Sequence, residues 1–348
     1  MKKKDVLDLI RFHAENNDSA FRQQAYKIAG DFASDGDQRL AEYIMSTLSD
    51  AGVFIPQSTI DIPDNLRKVE LSQDPLPLPD SITADIEGII NAVSRTMGIG
   101  KFLFQGAPGT GKTESAKQLA RILKRDLYEV DSNMIVDSHL GQTSKNISQL
   151  FSDINSLPNP ERVIILFDEI DVLALNRLDS NDVREMGRAT SAMLKGLDSL
   201  NRDVVLIATT NLYKSLDKAL SRRFDTAIDF NRYTREDLIS VGDVLLHYFA
   251  KEYGFIKSNQ KIFDKILGLM TDIPYPGDLK NLLRTSIVFS NMGDSYSYLS
   301  KFYKNVLGND PSDLQILKKQ GFSVREIEIL SQIPKSTVSR TLQKGTSQ

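Results

Sequence analysis

The stretch that decides the fold is a glycine-rich octapeptide, Gly106-Ala107-Pro108-Gly109-Thr110-Gly111-Lys112-Thr113. A short apolar run, residues 101–105, precedes it, and a stretch with helical patterning, residues 114–123, follows it. Strand, glycine-rich turn and helix in this order are the context in which such a pattern forms a phosphate site. The glycines let the backbone bend so that successive amide groups point at a polyphosphate.

The last two residues of the octapeptide add side chains to the same site. We predict that the Lys112 ammonium lies against the β- and γ-phosphates and that the Thr113 hydroxyl takes one position around Mg²⁺. The start of the helix adds amide donors and the positive end of its dipole. The stretch therefore predicts a site for a nucleoside triphosphate with Mg²⁺.

The composition excludes several classes of chemistry. The chain has 348 residues, 41% hydrophobic and 26% charged, which is typical of a globular protein of two or three domains. It has no cysteine, so disulfides, thiolate metal sites and cysteine nucleophiles are excluded. The net charge of −3 argues against non-specific coating of nucleic acid. With no signal sequence and no apolar run near 18 residues, we expect a cytoplasmic protein that does not span a membrane.

Apolar spacing and proline content divide the chain into five predicted regions. Strand and helix patterns alternate between residues 101 and 230, which predicts a parallel sheet between helices. Only helical patterns follow, and a helix capped by Ser81 precedes the sheet. The predicted regions are an N-terminal helical domain of three helices (1–55), a proline-bearing linker (56–80), an α/β core (81–232), a helical lid (233–309) and a tail (310–348). The N-terminal helices either pack on the rest of the chain without a further role or bind a partner.

Three sets of side chains follow predicted strands of the core. Asp168 and Glu169 end the apolar run 163–167, where Asp168 can orient Mg²⁺ and Glu169 can polarise the attacking water. Asn211 follows the run 204–208 and could hold the lytic water or touch the γ-phosphate. Arg222 and Arg223 precede the last strand and suit the charge on a transferring phosphoryl group. Their spacing leaves open a surface ion pair, and it leaves open whether they reach their own site or a neighbour's.

Together these residues resemble the AAA ATPases in order and spacing, over roughly residues 80–290. The resemblance implies a P-loop NTPase core with a C-terminal helical lid, ATP and Mg²⁺ as cofactors, and a homo-oligomeric ring, usually a hexamer. It implies that Arg222 and Arg223 act in trans on the next subunit and that Asn211 is the sensor-1 residue. The compact Arg222-Arg223-Phe224 is similar to the spastin and katanin branch.

The same resemblance assigns residues outside the phosphate site. Residues 138–147 resemble the pore-loop segment that grips an extended polypeptide, with His139 and Leu140 where the family has an aromatic-aliphatic pair. The imidazole of His139 is smaller than the usual aromatic ring and can be charged near pH 6.5. By the same resemblance, residues 179–188 form a second pore-facing loop. Lys280 lies at the sensor-2 position and either contacts the γ-phosphate or is a solvated lysine.

The tail has its own pattern. Three short helical stretches with a turn at residues 331–334 look like a helix-turn-helix, in which Ser323 caps the middle helix and Ser336, Thr337, Ser339 and Arg340 lie on the recognition helix. Six cationic and three anionic side chains give residues 312–348 a net charge of +3. That charge is compatible with DNA contact, and a protein-docking module of the same fold is equally compatible.

The overall layout is similar to bacterial AAA ATPases encoded beside subtilisin-like serine proteases, which would imply such a protease as a partner. We therefore expect an Mg²⁺-dependent ATPase ring that remodels or threads a protein substrate. The alternative is a DNA-acting ATPase, a helicase loader or a transposition-type regulator, that uses the tail. A slow nucleotide-dependent switch is a third class, against which Glu169 and the arginine pair argue.

Overall fold

The computed structural model describes residues 3–14, 18–34, 40–41, 44, 62–71, 75, 77–95, 97–136, 142–171 and 183–344. By its contacts the chain divides into two units, Met1–Ile62 and Pro63–Gln348. In the first unit, helix α1 (Lys3–Ala14) packs against helix α2 (Asp18–Ser34). The buried carboxylate of Asp5 accepts hydrogen bonds from Gln24 and Lys27, each at 3.1 Å. The first two predicted N-terminal helices are confirmed, and the third falls largely outside the described residues.

The second unit is built on a six-stranded sheet. Its strands are β1 (Leu66–Lys68), β2 (Lys101–Gln105), β3 (Asp126–Val130), β4 (Val163–Phe167), β5 (Val205–Thr210) and β6 (Thr226–Asp229). They lie in the order β1-β3-β4-β5-β2-β6, and β1 alone among these pairs antiparallel to its neighbour. The predicted α/β fold is confirmed. The edge strand β1, inside the stretch predicted as a linker, was not predicted.

The strand register brings the predicted site residues to one edge of the sheet. Gln105 is opposite Thr210 between β2 and β5, and Phe167 is opposite Ala208 between β4 and β5. Because parallel strands present their carboxyl ends on the same edge, the residues that follow β2, β4 and β5 meet there. Strand β5 is longer than predicted, because its two threonines continue the pairing with β2.

Helices cover both faces of the sheet. They are α3 (Asp80–Ser94), α4 (Lys112–Leu123), α5 (Ser132–Ile135), α6 (Gln142–Asn155), α7 (Val183–Asp198) and α8 (Lys218–Ser221). On one face α3 and α4 share an apolar core with β2 and β4–β6. Helix α6 packs against β4, where the Phe151 and Phe167 rings stack with centroids 5.9 Å apart. The prediction that Ser81 caps α3 is wrong, because the helix begins at Asp80 after Pro79 and no side chain caps it.

Seven helices follow β6 in the described part of the chain. They are α9 (Arg235–Tyr253), α10 (Gln260–Leu269), α11 (Pro276–Val288), α12 (Ser297–Leu307), α13 (Leu314–Lys319), α14 (Val324–Ser331) and α15 (Lys335–Lys344). Helix α11 begins at Pro276, because the fixed φ of proline suits the first position of a helix. No helix among the described residues is long and apolar enough to cross a membrane.

The tail shares one hydrophobic core with the lid. Leu317, Phe322 and Leu330 of the tail belong to the same buried cluster as the lid helices α9–α12. The predicted cap is confirmed, since the Ser323 side chain accepts from the Glu326 backbone and Glu326 reciprocates. Lys265 of α10 donates to the Glu326 carboxylate at 2.6 Å and so joins the lid to the tail. The tail therefore packs as a continuation of the lid.

Candidate nucleotide-binding site

A cleft of about 290 Å³ lies at the carboxyl edge of the parallel strands, between the sheet and the lid. Predicted residues from four separate segments line it: the octapeptide, the Asp168–Glu169 pair, Asn211 and Lys280. The sheet brings the first three segments together, and the lid helix α11 brings the fourth.

The octapeptide forms a tight loop between β2 and α4. Gly106, Gly109 and Gly111 have φ angles of +154°, +77° and +96°. The last two lie well inside the left-handed region, which glycine enters at no steric cost. The amide of Ala107 donates to the side-chain oxygen of Asn231 at 2.8 Å. Helix α4 begins at Lys112, so its N-terminal amides point at the cleft.

Lys112 is buried at the centre of the cleft. Its ammonium donates to the carbonyl oxygens of Gly106 and Ala107, at 2.8 and 2.9 Å, and to the Asn211 Oδ1 atom at 2.8 Å. Burial lowers the pKa of this lysine, while the carboxylates of Asp168 and its neighbours act in the opposite direction. The ammonium is therefore held in place by neutral oxygens that a phosphate could replace.

Asp168 accepts two hydroxyl hydrogen bonds at the end of β4. The Thr113 Oγ1 atom donates to Asp168 Oδ1 at 2.9 Å, and the Thr209 Oγ1 atom donates to the same oxygen at 2.6 Å. The Thr209 side chain is buried. The hydroxyl and the carboxylate predicted to hold Mg²⁺ are thus adjacent, and Thr209 fixes the carboxylate from behind.

Glu169 has a strained backbone and a fixed carboxylate. Its φ of +52° lies in the left-handed region, which is uncommon for a residue with a side chain and concentrates at functional sites. Its amide donates to Thr209 Oγ1 at 2.8 Å. Its carboxylate accepts from the Asn211 amide at 3.2 Å. Asn211 therefore bridges Lys112 and Glu169 through the two ends of one side-chain amide.

The lid closes one side of the cleft at a glycine–glycine contact. The Gly277 amide donates to the Gly109 carbonyl at 2.8 Å, and a Cβ at Gly277 would lie 3.0 Å from the Gly109 Cα. Lys280, one turn further along α11, reaches the cleft wall. At the other side of the loop, the Tyr233 hydroxyl donates to the Thr110 carbonyl at 3.0 Å. Burial raises the pKa of Tyr233, so this phenol stays protonated as a donor.

An apolar wall completes the cleft on the lid side. Pro75 and Pro77 contribute from the stretch before α3, and Leu245 contributes from α9. None of the three carries a polar side chain, so this wall suits a planar base rather than a phosphate.

The predicted arginines do not line this cleft. Arg222 follows α8 and is exposed. Arg223 is half-buried, and its Nε atom donates to the Asp198 carboxylate at 2.9 Å at the end of α7. The structure therefore separates these two cations from the residues that it brings together around Lys112.

Two further predictions concern residues before α6 and α7. His139 and Leu140, predicted to grip substrate, lie outside the described residues. The predicted second loop, residues 179–188, is corrected in part: helix α7 begins at Val183, so residues 183–188 are helical. Similarly, α6 begins at Gln142, so the second half of the stretch 138–147 is helical.

The residues of the cleft fit a nucleoside triphosphate with Mg²⁺. The left-handed glycines leave the loop free of side chains where phosphates would lie, and Lys112 supplies a cation. Thr113 and Asp168 offer two hard oxygens 2.9 Å apart. Mg²⁺ needs six ligands and keeps several waters, so phosphate oxygens and water would supply the rest.

Several residues of the site were not predicted from the sequence, and four of them illustrate why. Thr209 and Asn231 were not predicted as site residues, yet they hold Asp168 and the Ala107 amide. Tyr233 and Leu245 come from the beginning of the lid. A polar residue at the carboxyl end of each parallel strand was a usable signal for the first two. No local signal indicated the other two.

A parallel α/β fold with a glycine-rich phosphate loop and paired carboxylates defines a nucleotide-binding protein. Residues 102–232 match the family described as the ATPase family associated with various cellular activities (AAA). The chain therefore carries an ATPase domain of the AAA family.

Similar proteins agree with this family and cover part of their own lengths. An uncharacterized AAA family ATPase of Sinorhizobium fredii is 39% identical over 132 residues, which is 38% of this chain and 39% of that protein. A 26S proteasome regulatory subunit homolog of Methanocaldococcus jannaschii is 30% identical over 212 residues, which is 60% of this chain and 55% of that protein. The chain thus matches about 40 to 55% of the length of these two relatives.

A solved structure shares the fold. A chain in the HORMA:CdnC:Trip13 complex of E. coli MS115-1 aligns with a TM-score of 0.52 at 18% identity. The alignment covers 69% of this chain and 94% of that one. At this identity the likeness shows a common fold.

Proposed function

We propose that this chain hydrolyses ATP with Mg²⁺ as a subunit of a homo-oligomeric ring, and that the ring remodels or threads a protein substrate. The observation that carries the proposal is the Asn211 bridge. One side-chain amide contacts both the lysine of the phosphate loop and the water-activating glutamate. An asparagine in that position can report the state of the γ-phosphate to the residue that activates water.

The cleft suggests how ATP would be held. The triphosphate would lie along the octapeptide and the N-terminus of α4, with Lys112 moving from the carbonyls of Gly106 and Ala107 to the β- and γ-phosphates. The base would lie against Pro75, Pro77 and Leu245. Thr113 and Asp168 would hold Mg²⁺, which supplies charge neutralisation between the phosphates.

Three residues of the chain would prepare the attacking water. Glu169 would accept its proton, because the carboxylate lies at the cleft wall beyond Asp168. Asn211 would orient the carboxylate through its amide, and Thr209 would hold both acidic residues by one hydroxyl. The strained φ of Glu169 costs stability and is consistent with a position that function requires.

The arginine pair supports an oligomer. Transition-state charge on the γ-phosphate is commonly stabilised by an arginine finger, supplied in cis or in trans. Arg222 is exposed and Arg223 lies outside the cleft of its own chain. We therefore assign both arginines to the cleft of an adjacent subunit in a ring, for which six subunits is our working number.

A protein substrate is the choice that the relatives favour. One relative is named as a proteasome regulatory subunit homolog, and another carries the name pachytene checkpoint protein 2. In our proposal His139 and Leu140 contact the polypeptide in the ring pore. A separate subtilisin-like protease is the partner that we propose for degrading the product.

A DNA-acting ATPase is the second candidate, and one observation favours it. Ser336, Thr337 and Arg340 are exposed on α15, the helix that follows the turn of the helix-turn-helix-like tail. That face could contact phosphates. Ser339, also predicted for the recognition face, is half-buried.

One experiment separates the two candidates. The rate of ATP hydrolysis is measured with an unfolded protein in one arm and duplex DNA in the other. We expect stimulation by the protein alone. Removing the tail is unsuitable as a control because its leucines belong to the lid core, so the exposed Arg340→Glu variant replaces truncation. Stimulation by DNA that Arg340→Glu abolishes would overturn the proposal in favour of the second candidate.

A further inference from the structure

An open surface depression of about 770 Å³ lies between helices α6 and α7. We call it the basic groove. Three cations line it, Lys145 on α6 and Arg188 and Lys195 on α7, together with serine, glutamine, glycine and alanine. Because α6 follows β3 and α7 follows β4 in a parallel sheet, the two helices run in the same direction on one face. The groove extends along α7 from Gly187 to Lys195 and along the first half of α6.

Two glycines of α7 have different surroundings. Near its end α7 presses Gly196 against α6, where an added Cβ would lie 2.0 Å from the Phe151 ring. Near its start, Gly187 has no atom within 4 Å of an added Cβ. Gly196 therefore allows α7 to approach α6 closely, whereas Gly187 faces open space at the groove.

All the charged residues that line the groove are cations. Lys145, Arg188 and Lys195 are all exposed, and the residues lining the groove include no aspartate or glutamate. None of the three cations forms an ion pair with any residue that the structure describes. The carboxylate nearest to the lining that a hydrogen bond identifies is Asp153, which Gln149 contacts. Three cations on one lining, with no ion pair among the described residues, create a positive potential that favours an anionic partner.

The neutral groups of the groove contribute little as donors. The Ser148 hydroxyl donates to the Ser144 carbonyl at 2.9 Å, and the Ser191 hydroxyl donates to the Gly187 carbonyl at 2.7 Å. The Gln149 amide donates to Asp153 at 2.8 Å. The donors that remain for a ligand are the ammonium and guanidinium groups, which prefer carboxylates or phosphates.

We infer that the basic groove binds an acidic segment of the polypeptide substrate. The inference rests on the proposed remodelling function. Both walls are continuous with the segments predicted to contact substrate: α6 begins two residues after Leu140, and α7 begins within the stretch 179–188. A polypeptide is favoured over nucleic acid, because three cations on a chain of net charge −3 would neutralise few phosphates.

The test measures equilibrium binding of a fluorescent glutamate-rich peptide to the full chain by anisotropy. A peptide with glutamine at every glutamate position is the ligand control. We expect the triple variant Lys145→Glu, Arg188→Glu, Lys195→Glu to bind the acidic peptide about tenfold more weakly, since it reverses three exposed charges. The affinity of the native chain should fall with added salt. The milder triple glutamine variant should show an intermediate loss.

The matched control reverses two lysines and one arginine elsewhere, Lys318→Glu, Lys319→Glu and Arg325→Glu, which are exposed on the tail. It should bind the acidic peptide as the native chain does. Equal losses in both triple variants, or no loss in the groove variant, would overturn the inference. So would a groove variant that loses duplex DNA and keeps the peptide. Because binding is measured without hydrolysis, this result is separate from stimulation of the ATPase by unfolded protein, which tests the proposed function.

Discussion

The lysine of the nucleotide cleft and the arginine pair differ in burial and in location. Inside the cleft Lys112 is buried and donates to three oxygens, and each predicted carboxylate has a partner across the site. Arg222 and Arg223 lie outside that cleft, one exposed and one bonded to Asp198. This difference is the one that the proposed shared site requires, in which one chain would supply phosphate binding and water activation and its arginines would act on a neighbour.

The largest expected effect removes the buried cation. Lys112→Ala should lower ATP binding and should reduce hydrolysis at least about 100-fold, because a preorganised donor to the phosphates is lost. Binding of a fluorescent ATP analogue and release of phosphate measure the two effects. Arg121→Ala, which is exposed on α4 and outside the cleft lining, is the control and should change neither. Near-native hydrolysis by Lys112→Ala would remove the cleft from the mechanism.

The next prediction concerns the arginines. Arg223→Ala alone should lose most hydrolysis and should keep ATP binding, because it removes charge stabilisation supplied to a neighbour's site. Mixed with Lys112→Ala subunits it should recover part of the rate, since some interfaces then join an intact cleft to an intact arginine. Rates across mixing ratios measure the recovery.

The control for this experiment is Asp198→Asn, which removes the partner of Arg223 within its own chain. It should leave the rate within a few-fold of native if the arginine acts in trans. A total loss with Asp198→Asn and no recovery at any mixing ratio would show that Arg223 stabilises its own chain instead.

A smaller effect is expected at Thr209, a residue of the cleft. Thr209→Val should lower kcat about tenfold with a smaller change in KM for ATP, because the hydroxyl holds the Asp168 carboxylate and the Glu169 amide in place. Thr209→Ser keeps the hydroxyl and should restore the rate. If both variants behave alike, the residue serves packing only.

The sequence predicted the parts of the site that are contiguous. The octapeptide and the Asp168–Glu169 pair each follow an apolar strand directly, so a short motif and the rule for parallel sheets suffice to place them. Thr209 illustrates the limit. Its hydroxyl meets Asp168 because β4 and β5 pair with Phe167 opposite Ala208, and that register is a property of the folded sheet.

The lid and the tail show where local patterns fail. The tail reads as a separate helical module, yet Leu317 and Leu330 are buried in the lid core. Helical periodicity indicates which face is apolar, and it does not indicate which apolar face lies opposite. The strand β1 has three residues and no alternation to detect, so pairing with β3 determines it. Pro75 and Leu245 line the same cleft because the folded chain brings distant segments together, which local patterns do not indicate.

The smallest predicted effect is a pH dependence of stability in the lid. Burial and the neighbouring Asp243 raise the pKa of Asp264 from 3.8 to about 6. Because the folded state holds the Asp264 proton more tightly than the unfolded state, this group contributes its full stability below about pH 4. That contribution is lost as the pH rises through about 6. Thermal unfolding should show Tm falling by a few degrees across this range, and Asp264→Asn should flatten the profile.

Glu326 in the tail should give stability the opposite pH dependence, because its pKa is lowered. Burial raises the pKa of Glu326, but the hydrogen bonds from Lys265 and Ser323 lower it by more, and the resulting pKa is about 2. Its contribution is present above pH 4.5 and is lost as the pH falls toward 2. Glu326→Gln should therefore reduce Tm at neutral pH and should converge with the native chain in acid. A uniform loss at every pH would mean that packing, and not charge, explains the effect.

The most direct test of the shared site is the mass of the Glu169→Gln variant by light scattering, with and without ATP and Mg²⁺. The substitution removes the group that accepts the proton from water and keeps Lys112, Thr113 and Asp168, so ATP should bind and persist. We predict a particle several times the mass of one chain with ATP, and a smaller particle without it. A variant that binds ATP and remains a single chain at every protein concentration would contradict the account.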